Sequence, residues 1–150
     1  MGRLIRSCYV LVCLMAPGPL ASAYAASPLI TTEEAGLPPP KGAVGVDRRG
    51  VTRGPKIELV SGTDNIASPT RFQVKFQTFG GATVDLASVK VLYLRTPNVD
   101  LTERLKTFLQ PMGIDMPDAS LPPGEHMLRV DIKDSDGRAG SSSFVLKVAR

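Results

Sequence analysis

The stretch EHMLRVDIKDSDGRAGSSSFVLKV, residues 125–148, predicts a β-hairpin. In its first half, every second position is suited to an inward-facing side chain: His126, Leu128, Val130 and Ile132. The second half repeats this alternation with Phe144, Leu146 and Val148. Between the halves, Asp136 and Gly137 supply a tight turn, and Asp134 is placed to bond the turn's backbone. The chain is therefore expected to end in two antiparallel strands.

Three further segments show the same two-residue period and predict half-buried strands. Their inward residues are Ile57 and Leu59; Phe72, Val74 and Phe76; and Val89, Val91 and Tyr93. Turn residues at 61–62, 80–81 and 136–137 separate the runs at the spacing of about 8 to 12 residues expected in a β-sandwich. Residues 56–150 therefore predict an all-β, Ig-like antiparallel β-sandwich of about seven strands.

One segment departs from this pattern. DLTERLKTFLQP, residues 100–111, has Asp100 as a candidate helix N-cap, Glu103 three residues later and Pro111 as a stop. Its apolar residues fall at helical spacing: Leu101, Leu105, Phe108 and Leu109. The spacing predicts a short helix over 101–109. The alternative is a strand through 104–109, because an Ig-like sandwich needs a strand in this part of the chain.

Residues 1–25 have the layout of a secretory signal peptide. Two arginines precede an apolar run that is far shorter than the ~20 residues of a bilayer span. We expect cleavage after Ala25, with Ala23 as the second choice. Both cysteines, Cys8 and Cys13, would leave with this leader. The mature chain is therefore predicted to be periplasmic or secreted, without an integral membrane span and without disulfides.

Residues 26–55 predict a flexible, basic linker ahead of the domain. The segment contains a triple proline, 38–40, and no run of apolar residues at either structural period. Residues 41–56 carry five basic residues against one acidic residue, whereas residues 57–150 carry eleven of each. Because the charge of the domain is balanced, nucleic-acid binding is disfavoured.

His126 is the only histidine, and its position in the alternation places it inside the domain. The pattern Leu121-x-x-Gly124-x-His126 resembles the corner at the start of strand F in Ig-like domains, where an aromatic residue, usually Tyr, bonds to the backbone upstream. The resemblance implies that the imidazole supplies the same hydrogen bond. Two chemical alternatives for this histidine are a metal ligand and a general base.

Metal binding is the main alternative to a plain hairpin. A copper site would draw on the imidazole and thioether groups of the mature chain: His126, Met112, Met116 and Met127. The closing segment is similar to small periplasmic copper-carrying sandwiches, although their N-terminal histidine is absent here. A calcium site would use the carboxylates near the turn: Asp131, Asp134 and Asp136. Because calcium needs further ligands at fixed offsets, we expect a structural turn and no cofactor.

The sequence contains no motif that is specific for catalysis. It lacks a Gly-x-Ser-x-Gly elbow, a His-Glu-x-x-His zinc motif and a phosphate-binding glycine loop. Asp115 and Asp118 are a candidate acid and base pair, but carboxylates of this kind are common on loops. We therefore expect no enzymatic activity.

Four segments resemble a group of small exported proteobacterial proteins that have an Ig-like domain and no assigned function. The segments are RGVTRGPKIELVS, GGATVDLASVKVLYL, VDLTERLK and LPPGEHMLRVDIKDSDGRAGSSSFVLKV. The resemblance covers most of the predicted mature chain. It implies a periplasmic sandwich and transfers no catalytic residue.

The predicted function is a non-enzymatic binding or structural module with a protein partner in the cell envelope. Outward positions of three strands carry four apolar residues: Leu92, Leu94, Met127 and Val145. They form a candidate interaction patch, unless the short helix or a loop at 112–121 covers them. A free edge strand is the other candidate surface, because it can accept a strand of another chain.

Overall fold

Nine strands form two sheets in residues 26–41 and 54–150, the part of the chain that this computed structural model describes. The first sheet contains β1 (Ser27–Pro28), β2 (Lys56–Leu59), β3 (Thr70–Gln77), β6 (Leu109–Gln110) and β7 (Gly113–Ser120). The second sheet contains β4 (Val84–Tyr93), β5 (Val99–Asp100), β8 (Gly124–Asp134) and β9 (Ala139–Val148). The predicted signal peptide, 1–25, and residues 42–53 of the predicted linker lie outside the described residues.

The strand order is that of an Ig-like sandwich. In the first sheet, β7 pairs with β6 and β3, and β3 pairs with β2; in the second, β8 lies between β4 and β9. This is the division into four and three strands that a constant-type Ig domain shows. The short strands β1 and β5 add pairings on β7 and β4, and β1 is the only parallel partner among the named strands. The predicted all-β sandwich is confirmed.

The inward faces of the two sheets meet in one hydrophobic core. Most residues that the alternation places inside are buried, and Leu59 and Phe144 are partly buried. The buried residues are Ile57, Phe72, Val74, Phe76, Val89, Val91, Tyr93, His126, Leu128, Val130, Ile132, Leu146 and Val148. Full burial of an aliphatic or aromatic side chain contributes about 1.5–3 kcal/mol relative to exposure. This alternation is therefore the main determinant of which face of each strand packs inward.

The helical segment between β5 and β6 is shorter than its apolar spacing predicts. It consists of α2 (Thr102–Leu105) and a following 3-10 turn, Lys106–Phe108. Asp100 accepts a hydrogen bond from the N–H of Thr102 at 2.8 Å, one residue earlier than a standard N-cap arrangement. Within residues 26–41 and 54–150, no helix is long and apolar enough to cross a bilayer.

The expected loop at 112–121 is instead strand β7, which pairs with β3. Ile114 and Met116 face the core and are buried. Pro117 obscures the strand pattern in the sequence, but it lies at a register shift, where Phe72 pairs with Met116 and Thr70 with Ala119. A proline is tolerated at such an irregularity because no ladder N–H is required there.

The linker predicted at 26–55 is wrong for residues 26–41, which pack on the domain. Leu29 and Ile30 are 0% and 2% exposed and belong to the core. β1 pairs with Ala119 and Ser120 of β7. The segment is held in place because two apolar side chains are buried against strands that are distant in sequence. Two adjacent apolar residues produce neither a helical nor a strand period, so the sequence pattern does not reveal the segment.

The same N-terminal segment is held by polar contacts. Helix α1 (Thr32–Ala35) begins with a capping box between Thr31 and Glu34. Both carboxylate oxygens of Glu34 accept hydrogen bonds from Arg104, at 2.8 and 2.6 Å, and the same guanidinium donates to the Leu29 carbonyl at 3.0 Å. Farther along, the Pro38 carbonyl accepts from a backbone N–H after β4. The segment therefore contacts the first sheet, helix α2 and the loop that follows β4.

The Glu34–Arg104 ion pair is expected to make stability depend on pH in the acidic range. Hydrogen bonds from Arg104, with a contribution from Thr31, lower the pKa of Glu34 from its usual 4.5 to about 2. Because its pKa is lower in the folded state, the ionised Glu34 carboxylate adds to the free energy of unfolding. This contribution is complete above pH 4.5 and is lost as the pH falls toward 2. Because Arg104 is partly exposed, we expect wild type to lose about 2 kcal/mol more than Glu34→Gln over this range.

Urea unfolding at a series of pH values from about 5 to about 2, followed by circular dichroism, measures this difference. Glu103→Gln is the matched control, because the ion pair of Glu103 within the described residues is with exposed Lys106. Identical pH slopes for wild type and Glu34→Gln would contradict the stabilising role of the pair.

Candidate functional site

Part of the outer edge of β9 has no pairing partner among the described residues. β9 pairs with β8 along one side over its full length. The N–H and C=O of Lys147 point to the other side and bond to loop 63–66. Because these directions alternate along a strand, the backbone groups of Ser141, Ser143 and Val145 point to that same side. None of these three N–H and three C=O groups has a hydrogen-bond partner among the described residues.

The other sheet edges in the described residues are short, charged or covered, as natural sheets require. β2 has four residues and exposes Lys56 and Glu58. The outer edge of β7 pairs with β6 at one end and β1 at the other. The part of β4 that β5 does not cover contains a register shift with Asp85 and Lys90 at its two sides. β9, in contrast, has no proline and no charged residue before Lys147.

Two contacts mark the ends of the open stretch. Gly54 and Pro55 cross β9 at Gly140, where a Cβ would lie 2.1 Å from the carbonyl oxygen of Pro55. Only glycine permits this close backbone approach. Loop 63–66 covers the edge at Lys147. Between these two contacts, residues 141–145 make no backbone hydrogen bond on this side with the described residues, although β2 passes close to β9; we call these residues the β9 edge.

A groove of about 760 Å³ lies beside the β9 edge. Gly140, Ser141 and Ser142 contribute to its wall. Its charged lining residues are mostly basic: Lys56, Lys90, Arg129, Asp131 and Lys133. Phe79, which is 51% exposed, adds an apolar side chain. Edge and groove share residues, so unpaired backbone, cationic groups and an exposed aromatic ring lie on one surface.

The predicted corner places His126 in the core, 1% exposed, between two hydrogen-bond partners. Its Nε2 lies 2.7 Å from the Pro122 carbonyl oxygen, and its Nδ1 lies 2.9 Å from the Tyr93 hydroxyl. Because a carbonyl can only accept, Nε2 carries the proton, and the Tyr93 hydroxyl donates to Nδ1. Gly124, at φ +129°, begins the strand, and Leu121 is buried before it.

Arg95 extends this polar chain to the surface. Its Nε donates to the Tyr93 oxygen at 2.7 Å, and Nη2 donates to the Glu125 carbonyl at 3.1 Å. Burial lowers the pKa of His126 below its usual 6.5, the positive charge of Arg95 lowers it further, and the bond to Pro122 opposes both. The imidazole is therefore neutral, and both of its nitrogens are engaged in structural hydrogen bonds.

The hairpin turn is organised by a buried carboxylate. Asp134 Oδ1 accepts from the N–H groups of Asp136 and Arg138 at 3.1 and 2.8 Å, and Gly137 has φ +78°. Asp134 Oδ2 and Arg138 Nε lie 3.0 Å apart as an ion pair without hydrogen-bond alignment. The same guanidinium bonds to Asp136. Arg138 thus supplies the positive charge that the calcium hypothesis assigned to a metal.

The groups proposed for a copper site differ in their environments. His126 and Met116 are buried in the core, Met127 is half-buried on the outer face of the second sheet, and Met112 is 78% exposed. In residues 26–41 and 54–150, no cluster of three or more His, Asp or Glu side chains could hold a metal ion. The arrangement supplies no set of converging ligands in this part of the chain.

The two candidate catalytic carboxylates also differ in environment. Asp115 is bonded through both oxygens to Arg71, and this pairing lowers the pKa of Asp115. A carboxyl stabilised as its anion is a poor general acid. Asp118 is exposed on β7. The structure does not bring the two together with a nucleophile or a base.

The predicted apolar patch is only partly present. Leu94, Met127 and Val145 lie in one row across the second sheet, since the Leu94 N–H donates to the Met127 carbonyl and Met127 pairs with Val145. Leu94, however, is buried, and Leu92, Met127 and Val145 are half-buried. The large apolar side chains that are exposed in the described residues lie elsewhere: Val60, Phe79, Leu86 and Met112. The expectation of an exposed four-residue patch is corrected accordingly.

Sequence reasoning did not identify Ser141, Ser143, Lys90 or Lys133 as surface features of interest. The available signal was compositional: AGSSSFVL, residues 139–146, is a strand sequence without charge or proline. A strand sequence without charge or proline indicates a pairing surface only if the strand lies at the edge of a sheet. The sequence alone does not give the strand order that decides this.

No family model matches the chain, and neither does any curated protein. Among solved structures, CopC from Methylosinus trichosporium OB3b aligns with a TM-score of 0.42 and 18% sequence identity. The alignment covers 63% of this chain and 94% of that chain. The strand order described above, rather than this likeness, defines the fold.

Proposed function

We propose that the chain is an exported, non-catalytic module that binds another protein by pairing a strand of that protein with the β9 edge. The observation that carries the proposal is the set of backbone groups on Ser141, Ser143 and Val145 that have no hydrogen-bond partner in residues 26–41 and 54–150, within a strand that has no proline and no charged residue before Lys147. Addition of a strand to an open edge is a recurrent mode of peptide recognition.

The energetics favour an extended partner segment. Each backbone hydrogen bond contributes about 0.5–1.5 kcal/mol net, and a partner strand can satisfy donors and acceptors on all three residues. Phe144, which faces inward from β9, is only partly buried. An apolar side chain on the inner face of an added strand would cover it. Backbone pairing therefore supplies affinity, and contact with Phe144 supplies a preference for apolar residues.

Export is supported by the layout of residues 1–25. Mass spectrometry of the N-terminus of the protein isolated from the envelope fraction tests it. Cleavage after Ala25 gives a mature chain beginning at Ala26, and cleavage after Ala23 gives one beginning at Tyr24. A full-length chain with Met1 retained in the cytosol would contradict export.

Ser143→Pro is expected to abolish partner binding while the domain stays folded. Proline removes the N–H of residue 143, which points to the open edge and makes no bond to β8. Proline is tolerated in edge strands for this reason, so we expect a loss of stability below about 1 kcal/mol. The partner is detected with a photo-crosslinking amino acid at position 141 in cells of the source organism, and crosslinked peptides are mapped by mass spectrometry.

Ser143→Val is the matched control, because valine keeps the N–H and favours a strand. We expect Ser143→Val to crosslink like wild type and Ser143→Pro to lose the crosslink. The same photo-crosslinker at Glu58, on the edge of β2, should not capture the partner. A mapped crosslink that survives Ser143→Pro would refute strand addition at this edge.

A further inference from the structure

We infer that the segment bound at the β9 edge is acidic, and that Lys90 and Lys133 bind its carboxylates in the adjoining groove. The inference rests on the proposed strand addition and adds the chemistry of the partner. Both lysines line the groove that shares Ser141 with the β9 edge. A segment that leaves the edge on this side enters a surface with more positive than negative charge.

The charges of the groove are unequally engaged within the domain. Arg129 bonds to both oxygens of Asp131, at 3.0 and 3.1 Å, so this pair is neutral as a unit. Lys56 pairs with Glu58 at 2.9 Å. In the part of the chain that the structure describes, neither Lys90 nor Lys133 has a carboxylate within ion-pair distance. The two ammonium groups are thus the cations available to a ligand.

The carboxylates nearest to these lysines are held by other groups. Asp85, the register partner of Lys133, accepts a bond from the Ala87 N–H at 3.0 Å. Asp100 accepts a hydrogen bond from the backbone N–H of Thr102 at 2.8 Å, and hydrogen bonds from Thr102 are the main cause of its lowered pKa. Asp131, the register partner of Lys90, is bonded to Arg129 as described. In the described residues, none of these three carboxylates lies within ion-pair distance of either lysine, although the charge of Lys90 contributes to the lowered pKa of Asp100.

The small residues of β9 leave the path between edge and groove open. Lys133 lies opposite Ala139, and Asp131 lies opposite Ser141. Adjacent strands are about 4.8 Å apart, so a strand on β9 would lie roughly 10 Å from β8. A lysine side chain and a glutamate side chain together span this distance. Lys90, one strand farther, can bind acidic residues only where the segment crosses the groove.

The test uses three twelve-residue probe peptides in which valine alternates with glutamate, glutamine or lysine. Binding to the full mature protein is measured by fluorescence anisotropy. We expect the valine-glutamate peptide to bind at least about tenfold more tightly than the valine-glutamine peptide, with the preference falling as salt is raised. Lys90→Gln/Lys133→Gln should reduce the preference to less than about threefold, whereas Lys75→Gln, on the opposite sheet, should leave it unchanged.

The outcomes separate this inference from the proposed function. Equal binding of all three peptides that is lost with Ser143→Pro would overturn the acidic preference and support strand addition at the edge. Binding of the valine-glutamate peptide that survives Ser143→Pro would overturn both. Dimerisation of the free protein that Ser143→Pro reverses would assign the edge to a second copy of this chain, and would also overturn the acidic partner.

Discussion

Replacing Gly113 by alanine is expected to destabilise the domain by about 4 kcal/mol. Gly113 begins β7 with φ +151°, a conformation that L-residues rarely adopt. A Cβ at this position would lie 2.0 Å from the Val74 carbonyl oxygen, which is part of β3 and cannot swing aside as a flexible side chain can. The variant must therefore separate β3 from β7, and this separation disrupts the centre of the first sheet.

Urea unfolding of Gly113→Ala, followed by circular dichroism, measures the loss. Gly62→Ala is the matched control, since a Cβ at Gly62 meets no atom within 4 Å and the residue has no positive φ. We expect Gly62→Ala to unfold within about 0.5 kcal/mol of wild type. If Gly113→Ala unfolded like Gly62→Ala, the close packing of β3 on β7 would be incorrect.

Replacing His126 by alanine is expected to cost about 3 kcal/mol. The alanine leaves the Pro122 carbonyl without its donor and the Tyr93 hydroxyl without an acceptor for its proton, and it opens a cavity at a fully buried position. An unsatisfied buried group costs about 1–3 kcal/mol, and the lost packing adds to it. His126→Gln should recover most of this loss, because its amide can donate to Pro122 and accept from Tyr93.

The histidine also predicts a dependence on pH. Its pKa in the folded state is lowered below 6.5, chiefly by burial. The contribution of neutral His126 to the free energy of unfolding is therefore complete above pH 6.5, and it is lost as the pH falls from 6.5 toward the lower pKa of the folded state. The unfolding temperatures of wild type and His126→Gln, measured at several pH values in this range, show how steeply the stability of each protein falls with pH. A wild-type curve no steeper than that of His126→Gln, or an alanine variant that melts like wild type, would show that the corner does not stabilise the fold.

The strands with strict alternation were predictable from local sequence. Phe72, Val74 and Phe76, and likewise Val89, Val91 and Tyr93, each lie on one side of a strand whatever the rest of the chain does. The parity that placed His126 inside follows from the same rule. Prediction succeeded where the determinant was the two-residue period of a single strand.

Two parts of the fold depend on distant contacts and could not be predicted in this way. Residues 26–41 contain only one adjacent pair of buried apolar residues, Leu29 and Ile30, and strand β7 supplies their pairing partner. Within β7, Pro117 interrupts the alternation of inward and outward residues in the sequence, and the register shift in the pairing with β3 returns Ala119 to the inward face. In both cases the deciding contacts join residues far apart in sequence.

The candidate site shows the same division. Alternation correctly assigned Leu94, Met127 and Val145 to one face, but it could not show that Leu94 is buried. The sequence predicted that some edge strand would be free, but it could not identify which strand. Identifying β9 required the strand order and the contacts of Lys147 with loop 63–66. The proposed preference for an acidic partner rests on the internal ion pairs of the groove, because counting charges over residues 57–150 gives eleven of each sign.

The docking of residues 26–41 has a consequence for folding kinetics. Ser27 pairs with Ala119, and 119 minus 27 is a sequence separation of 92 residues. A ribosome completes the N-terminal segment long before β7 exists, so this early segment must wait for its docking site. Long-range closure of this kind slows folding. Leu29 and Ile30 therefore cannot become buried until β7 is present, and a truncated chain that ends before β7 should leave both side chains exposed and be a target for proteases.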